Sequence, residues 1–318
     1  MLFRPTAASD LDQFLPLIVT DPASAMTADT YTARVSRGEY RPEWTWIADD
    51  GSGRAPLALA VWWGGPDEAQ PGALDGLFVH ASVPDAERAP LAARLLAAAH
   101  AAYAGAGADV APEYHLFLPG DWRARPDSVA AVAWRQEAAR RAGLGASLER
   151  LRYEWTPGAG LPEPSGALAF DAEPDDEVFV DLFHRVLRDT LDTLSRKEAD
   201  RVGTGQQARD DVAFYRDTMP GDRSWWRVAR TPGGEVVGFG LPSRNHTCPV
   251  VGYLGVLPEH RGRGYADEIL GEITRILVAE TAPELVRADT DTTNTPMAAA
   301  FERVGYRSDS CRLVLFAS

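Results

Sequence analysis

The sequence predicts an α/β (α+β) protein made of two tandem copies of one strand-and-helix layout. Three observations carry this. The 318 residues suffice for two ordinary domains, and a 45% hydrophobic content supports a core in each. Strand-like and helix-like runs follow one another in the same order in both halves. Between the halves, Thr156 to Gly166 (TPGAGLPEPSG) is rich in proline and glycine and reads as a linker.

In the first half, Leu2 to Pro5 opens as a strand, and Ser9 or Asp10 caps a helix with apolar Leu11, Phe14, Leu15 and Ile18. Trp44 to Ala48 alternates, Asp49 to Gly53 is turn chemistry, and Leu57 to Trp63 completes a hairpin. Leu77 to His80 is the next strand, Pro90 to Tyr103 an Ala-rich helix, and Tyr114 to Leu118 a strand. Val129 to Ala142 is an amphipathic helix ended by Gly143, and Leu148 to Trp155 alternates again.

The second half repeats this order. Ala167 to Phe170 is a strand, and Asp175 or Asp176 caps a helix running through Val178, Leu182 and Val186 toward Leu194. Ser195 to Asp211 is polar, and a helix continues through Phe214 and Tyr215. Trp225 to Ala229 and Val236 to Leu241 form a hairpin around Pro232-Gly233-Gly234. Val250 to Leu257 is an apolar strand stopped by Pro258-Glu259. Apolar residues at Ala266, Ile269, Leu270, Ile273, Ile276 and Leu277 then mark a helix. Leu285 to Ala288 starts a strand, and Thr295-Pro296 reads as a helix cap followed by proline at the first position. Gly305-Tyr306 ends that helix, and Leu313 to Phe316 is the last strand.

The segment joining the strand Val250 to Leu257 to its helix is Arg261-Gly262-Arg263-Gly264-Tyr265-Ala266. A helix start has backbone N–H groups without intrahelical partners and a partial positive charge. Glycines at 262 and 264 let a ligand approach the backbone, so the turn suits a phosphate or diphosphate, with Arg261 and Arg263 adding charge. A dinucleotide fingerprint is excluded because Asp267 stands where its third glycine belongs, and no Gly-Lys-Ser/Thr occurs for a P-loop.

Arg261-x-x-Gly264-x-Ala266, placed after a strand, resembles the coenzyme A diphosphate loop of the GCN5-related N-acetyltransferase (GNAT) superfamily. The order of elements in both halves resembles that of tandem-GNAT proteins. The resemblance implies two GNAT-like domains, each a mixed, largely antiparallel twisted sheet flanked by helices, with central strands splayed in the C-terminal copy. Residues 1–156 would be a degenerate copy, structural or pocket-shaping, because His80 to Leu96 holds no glycine. Residues 157–164 would be the linker and 165–318 the coenzyme A-binding domain.

The resemblance further implies acetyl-CoA as cosubstrate, with no metal. The pantetheine arm would pair with backbone groups of Leu254 and Val256, and Gly262, Arg263, Gly264, Tyr265 and Ala266 would join Arg261 around the diphosphate. Asn294 would touch the coenzyme arm; as a bare residue it reads equally as a turn former before a helix. Seven residues on, where many relatives carry a proton-donating tyrosine, this chain has Phe301. Tyr306 sits at a position that is usually core. The candidate catalytic groups for accepting the amine proton are Asp291, Asp289, Tyr253 and His246. Asp192 is placed to hold a cationic acceptor, with His246 on the same side.

The expected activity is acetyl-CoA-dependent N-acetyl transfer to a small amine acceptor, by direct transfer in a ternary complex. The alternative is a non-catalytic acyl-CoA-binding sensor or assembly module. A formal charge of −14 argues against nucleic-acid or anionic-membrane partners. Two cysteines, Cys248 and Cys311, make no disulfide framework or metal spacing. The N-terminus has no signal-peptide apolar core and no run spans a membrane, which leads to a cytoplasmic expectation. A chain that already holds two copies is expected to be a monomer.

Overall fold

A computed structural model describes residues 1–51, 53–245 and 247–317. The chain divides into two compact units. The first holds Met1–Glu149 and the residues from Ser310 on; the second holds Arg150–Asp309.

The first unit contains β1 (Leu2–Pro5), α1 (Leu11–Phe14), α2 (Ala28–Ser36), β2 (Thr45–Asp49), β3 (Ala58–Trp63), β4 (Ala73–Val79), α3 (Asp85–Gly105), β5 (Glu113–Pro119) and α4 (Pro126–Arg141). The second contains most of β6 (Ala146–Trp155), then β7 (Ala169–Ala172), α5 (Asp176–Leu187), α6 (Thr193–Val202), α7 (Thr204–Ala213), β8 (Arg227–Arg230), β9 (Val236–Arg244), β10 (Pro249–Val256), α8 (Tyr265–Thr281), β11 (Val286–Asp291) and α9 (Thr295–Arg303). The last strand, β12 (Arg307–Phe316), returns from Ser310 to the first unit.

Strands of the first unit run in the order β1-β2-β3-β4-β5-β12, and those of the second β7-β8-β9-β10-β11-β6. Every neighbouring pair in each list is antiparallel except β4–β5 and β10–β11, which are parallel. The two units thus share one topology, and the final strand of each half completes the sheet of the other. The division differs from boundaries at 156 and 165: it falls at Glu149/Arg150 and Asp309/Ser310. The Pro/Gly-rich stretch is tied down within the second unit. The Trp155 indole N–H donates to the Gly160 carbonyl (3.1 Å) and Arg275 to that of Pro162 (2.9 Å).

Local chemistry explains the other departures. The helix expected at Leu11 to Ile18 is short because Pro16 turns Leu15–Leu17 into a 3-10 turn. The helix α2 was not anticipated; Thr27 caps it by accepting from the Thr30 N–H, and Tyr31 is its buried residue. The expected run from Val178 to Leu194 breaks after Leu187, and Asp192 starts α6 as its cap. The cap of α9 is Asn294, not Thr295.

In the second unit the sheet separates two apolar layers. On one side α8 lays Ile269, Leu270, Ile273 and Leu277 against Val237, Val286, Ala288 and Phe301. On the other, α5 and α7 bring Phe179, Phe183, Val186 and Val212 onto Val228, Phe239 and Leu241. The close approach of α8 depends on Gly238 and Gly240. A Cβ on Gly240 would stand 2.9 Å from Ile269 and Ile273, and one on Gly238 only 2.3 Å from the Gly255 carbonyl oxygen. Backbone cannot move aside as a side chain does. Gly238→Ala is therefore expected to lower the unfolding free energy by about 1–3 kcal/mol, measured by chemical denaturation.

Candidate functional site

Parallel pairing between β10 and β11 is confined to their starts, at Val250 and Arg287. On its other side β10 pairs with β9 along its whole length. Beyond Val250, then, one edge of a central strand has no ladder. Consistent with a cleft there, Val250 to Leu254 and Val256 are half-exposed, whereas the neighbouring β9 is buried over seven consecutive residues. The Leu257 N–H donates to the Val237 carbonyl of β9 at 2.9 Å. Backbone groups alternate sides along a strand. By that alternation Gly255 also turns to β9, and Leu254 and Val256 present N–H and C=O to the open edge. The Val256 carbonyl is already used, accepting from Arg261 Nε at 3.2 Å.

The register of β10 shifts between Val251 and Tyr253, so Gly252 is a bulge. A Cβ there would meet the Leu241 carbonyl oxygen at 2.7 Å, which restricts the position to glycine. The Gly252 carbonyl accepts from the Tyr215 hydroxyl at 2.8 Å.

The open edge leads into the glycine-bearing turn. Residues 261–264 are exposed, and Tyr265 and Ala266 half-buried. Gly262 (φ 76°) and Gly264 (φ 78°) have left-handed backbone, which other residues adopt only under strain. The N–H groups of Gly262, Arg263, Gly264, Tyr265 and Ala266 meet no acceptor among the described residues. Five amides at the start of a 17-residue helix therefore remain available to an anion. Asp267, in the first turn, is neutralised by Arg303 through bonds of 2.6 and 2.8 Å.

The two arginines of this turn differ. Besides Val256, Arg261 donates to the carbonyls of Asp189 (2.8 Å) and Val186 (3.4 Å). It binds the turn to the end of α5, where the helix dipole favours a cation. Arg263 is exposed, with its guanidinium 3.5 Å from the Glu259 carbonyl oxygen.

The corresponding region of the first unit is different. Pairing of β4 with β5 is also confined to two residues, Ala73 and Leu74, so these strands part as well. There the buried guanidinium of Arg135 donates to the Leu77 carbonyl on β4 (2.9 Å), to Asp21 (2.6 Å) and to the Ala131 carbonyl (3.0 Å). The turn into α3 has no left-handed glycine, and Asp85 and Glu87 occupy the first turn of that helix.

The other sequence candidates fall into three groups. Asp289 and Asp291 lie in β11, in register with Arg152 and Arg150 of β6. Asp291 is wholly buried; its carboxylate accepts from the Thr193 N–H (2.6 Å) and stands 3.2 Å from Arg150. A carboxylate so enclosed anchors α6 and has no open approach for an amine. Asp289 is partly exposed, 3.9 Å from Arg152. Asp192 caps α6 through the Ser195 N–H (2.9 Å) and pairs with Arg150 at 3.0 Å. Burial pushes its pKa up, but Arg150 and the Ser195 N–H outweigh this and hold it below the usual range. Asp192 thus serves both as a helix cap and as an ion-pair partner within the protein.

Tyr253 lies among Phe183 (4.6 Å between centroids), Phe239 and Tyr215, and its hydroxyl has no hydrogen-bond partner among the described residues. Burial pushes this phenol's pKa up, with Tyr215, Asp211 and Asp192 adding to the effect. It stays protonated at neutral pH, which suits a donor and not the base expected from the sequence. Asn294 Oδ1 accepts from the Met297 N–H at 3.4 Å, so the residue is a helix cap. Phe301 is buried and stacked on Tyr153 at 4.8 Å, and the Tyr306 hydroxyl pairs with Thr274 at 2.8 Å inside the same core. Neither presents a proton donor to the cleft. His246 lies outside the described residues.

The group that the sequence did not single out is Asp211 on α7. Burial raises its pKa to about 7, with Asp210, Asp192 and Glu198 adding repulsion and a bond from Gln207 (2.8 Å) opposing it. It lies close enough to Tyr215 and Tyr253 to raise both phenols. In the sequence it is one acid among many. Both cysteines are buried and free. Among the described residues there is no group of three or more potential metal ligands, and no helix is long and apolar enough to cross a membrane.

Residues 189–306 match the acetyltransferase (GNAT) family. The fold is similar to that of a GCN5-related N-acetyltransferase from Sphaerobacter thermophilus, at 13% identity and a TM-score of 0.57, covering 98% of this chain and 94% of that one. It is also similar to a GCN5-related glucosamine N-acetyltransferase region in a fungal multi-domain GH3 β-N-acetylglucosaminidase, at 14% identity and a TM-score of 0.57, covering 99% of this chain and 38% of that one. A protein of unknown function from Staphylococcus epidermidis is similar at 12% identity and a TM-score of 0.50, covering 81% of this chain and 91% of that one. At these identities the likenesses show the fold.

The buried charge cluster yields a stability prediction. Arg150→Ala leaves the enclosed Asp291 and the partly buried Asp192 without their shared cation. The expected loss is about 3–5 kcal/mol in chemical denaturation, as for other broken buried pairs.

Proposed function

We propose that this chain, whose residues 189–306 match the GNAT acetyltransferase family, transfers an acetyl group from acetyl-CoA to the amine of a small acceptor within a ternary complex. The observation that carries the reading is the continuity between the unpaired edge of β10 and the exposed, unbonded amides at 262–266. A thioester carrier with a diphosphate has a use for both. The amides and Arg263 would hold the diphosphate, and the arm would lie along Leu254 and Val256 by strand addition.

The chemistry then needs an N–H directed at the thioester carbonyl, a base and a proton donor. The Leu254 N–H faces the open edge and would polarise the carbonyl. Asp211, with a pKa of about 7, would take the proton of the acceptor ammonium directly or through water. The amine attacks the carbonyl carbon, the C–S bond breaks, the thiolate takes the phenolic proton of Tyr253, and the proton shed by the acylated nitrogen restores that phenol through solvent while Asp211 releases its own proton to solvent. Asp289 is the second candidate for the base. The family position of the usual tyrosine is Phe301, which favours the alternative reading of a non-catalytic acyl-CoA-binding module. A thiol-release assay over amino acids, polyamines, amino sugars and peptide N-termini separates the two: coenzyme binding with no thiol release for any amine supports the binding module. Amino sugars belong in the panel because one structural relative is described as a glucosamine N-acetyltransferase region.

The first unit, with Arg135 on its parted strand and no left-handed glycine in the turn into α3, is proposed to take no coenzyme. Calorimetry should accordingly give one acetyl-CoA per chain. Gly264→Glu replaces a left-handed glycine with a carboxylate at the anion mouth and should abolish saturable binding; intact binding would refute the site. The Asp211 assignment has two signatures. The pH dependence of kcat/KM should rise through about pH 7 as Asp211 loses its proton, and Asp211→Asn should lower kcat/KM by about 10²–10⁴ and flatten that limb. Because its native pKa is raised, the folded state holds this proton more tightly than the unfolded chain. Stability should thus fall as pH rises from about 4 toward 7, and fall less in Asp211→Asn.

A further inference from the structure

We propose that Tyr215 is a positioning residue for acetyl transfer: its hydroxyl pins the bulge at Gly252 that turns the Leu254 amide to the open edge of β10. This rests on the acetyl-transfer reading above and assigns a role outside it. Two irregular elements meet in one bond. Helix α7 ends in a π-helical turn, Phe214–Thr218, and that turn carries Tyr215. The central strand breaks its register at Gly252. The bond between them, from the Tyr215 hydroxyl to the Gly252 carbonyl, is 2.8 Å long.

The carbonyl of Gly252 and the N–H of Tyr253 belong to one planar peptide unit, so holding the oxygen fixes that plane. The plane in turn sets which following residues face β9 and which face the gap. Without the bulge, a shift of one residue would exchange the two sets, turning Tyr253 and Gly255 to the gap and Leu254 to β9. The bulge residue itself has no Cβ to hold it, because a Cβ would strike the Leu241 carbonyl and the Ser243 side chain. A glycine bulge is the most mobile backbone a strand can have, and a hydrogen bond from outside the sheet is a means to immobilise it. Burial pushes the Tyr215 phenol's pKa up, with Asp211 and Asp192 adding to this and Arg150 opposing it, so the hydroxyl keeps its proton. The ring is held independently by Phe183 (6.3 Å between centroids), Phe214 (5.3 Å) and Tyr253 (6.3 Å). Tyr215→Phe therefore removes the donor and keeps the packing.

The test is infrared difference spectroscopy of bound acetyl-CoA carrying a ¹³C-labelled thioester carbonyl, together with steady-state kinetics and calorimetry, on wild-type protein and Tyr215→Phe. The wild-type carbonyl band should shift to lower frequency than in water, and the variant should lose most of that shift. Its kcat should fall about 10- to 100-fold, no more than for outright removal of an oxyanion donor, while the acetyl-CoA Kd stays within about twofold, well under the tenfold that 1.4 kcal/mol represents. Replacing Tyr215 with 3-fluorotyrosine keeps an O–H donor and should restore both band and rate. A variant with the wild-type band and wild-type kcat overturns the proposal. So does one whose loss of rate follows a loss of coenzyme affinity with the band unmoved, which would make Tyr215 a packing residue. Wild-type protein that binds no acetyl-CoA overturns this proposal and the acetyl-transfer reading together.

Discussion

In each unit one parallel pair of strands begins to pair and then stops, and the fate of the edge left unpaired decides what that unit can do. Backbone N–H and C=O groups away from water need partners, so a parted central strand must be filled by the protein or by something else. In the first unit, Arg135 reaches from α4 and occupies the Leu77 carbonyl. In the second, Tyr215 takes the Gly252 carbonyl and Arg261 the Val256 carbonyl, and among the described residues no side chain is bonded to Leu254. One topology is thus filled differently in the two units, by a buried guanidinium in the first and by Tyr215 and Arg261 in the second, and the second is followed by a turn with two left-handed glycines.

The turn is the second half of the constraint. Gly262 and Gly264 let the backbone enter α8 with its first amides facing outward, and Arg303 removes the one first-turn charge that it pairs, Asp267. Arg261 holds the turn in place by binding carbonyls at the end of α5. Arg261 thereby fastens the turn that presents the amides. Charge at the mouth is left to Arg263 and to the backbone itself, which is consistent with a site in an otherwise acidic chain.

Much of this was legible in the sequence, because it is written in local chemistry. Left-handed glycines beside a strand stop, and apolar spacing from Ile269 to Leu277, are features of neighbouring residues. Long-range partnerships were not legible. The alternation in β6 identifies a strand but not its partner, although Arg150, Arg152 and Glu154 complement Asp291, Asp289 and Arg287 in register. Acids are rare inside strands, so Leu285 to Ala288 shows the start of β11 but not its continuation through Asp289 and Asp291; opposite arginines make them acceptable there. Asp211 stands among several acids, and only burial separates it from the solvated ones. Tyr215 is thirty-seven residues from the carbonyl that it holds, and no pattern in either segment announces the bond.

The central claim is that free amides at the start of α8 and along the open edge of β10 receive one thioester carrier. Backbone amide chemical shifts of isotopically labelled protein during a coenzyme A titration test it most directly. The account predicts large, saturating changes for Gly262, Arg263, Gly264, Tyr265, Ala266 and Leu254, with the amides around Leu77 in the first unit unmoved. Saturation that leaves residues 262–266 undisturbed, or that perturbs the two units alike, would contradict it.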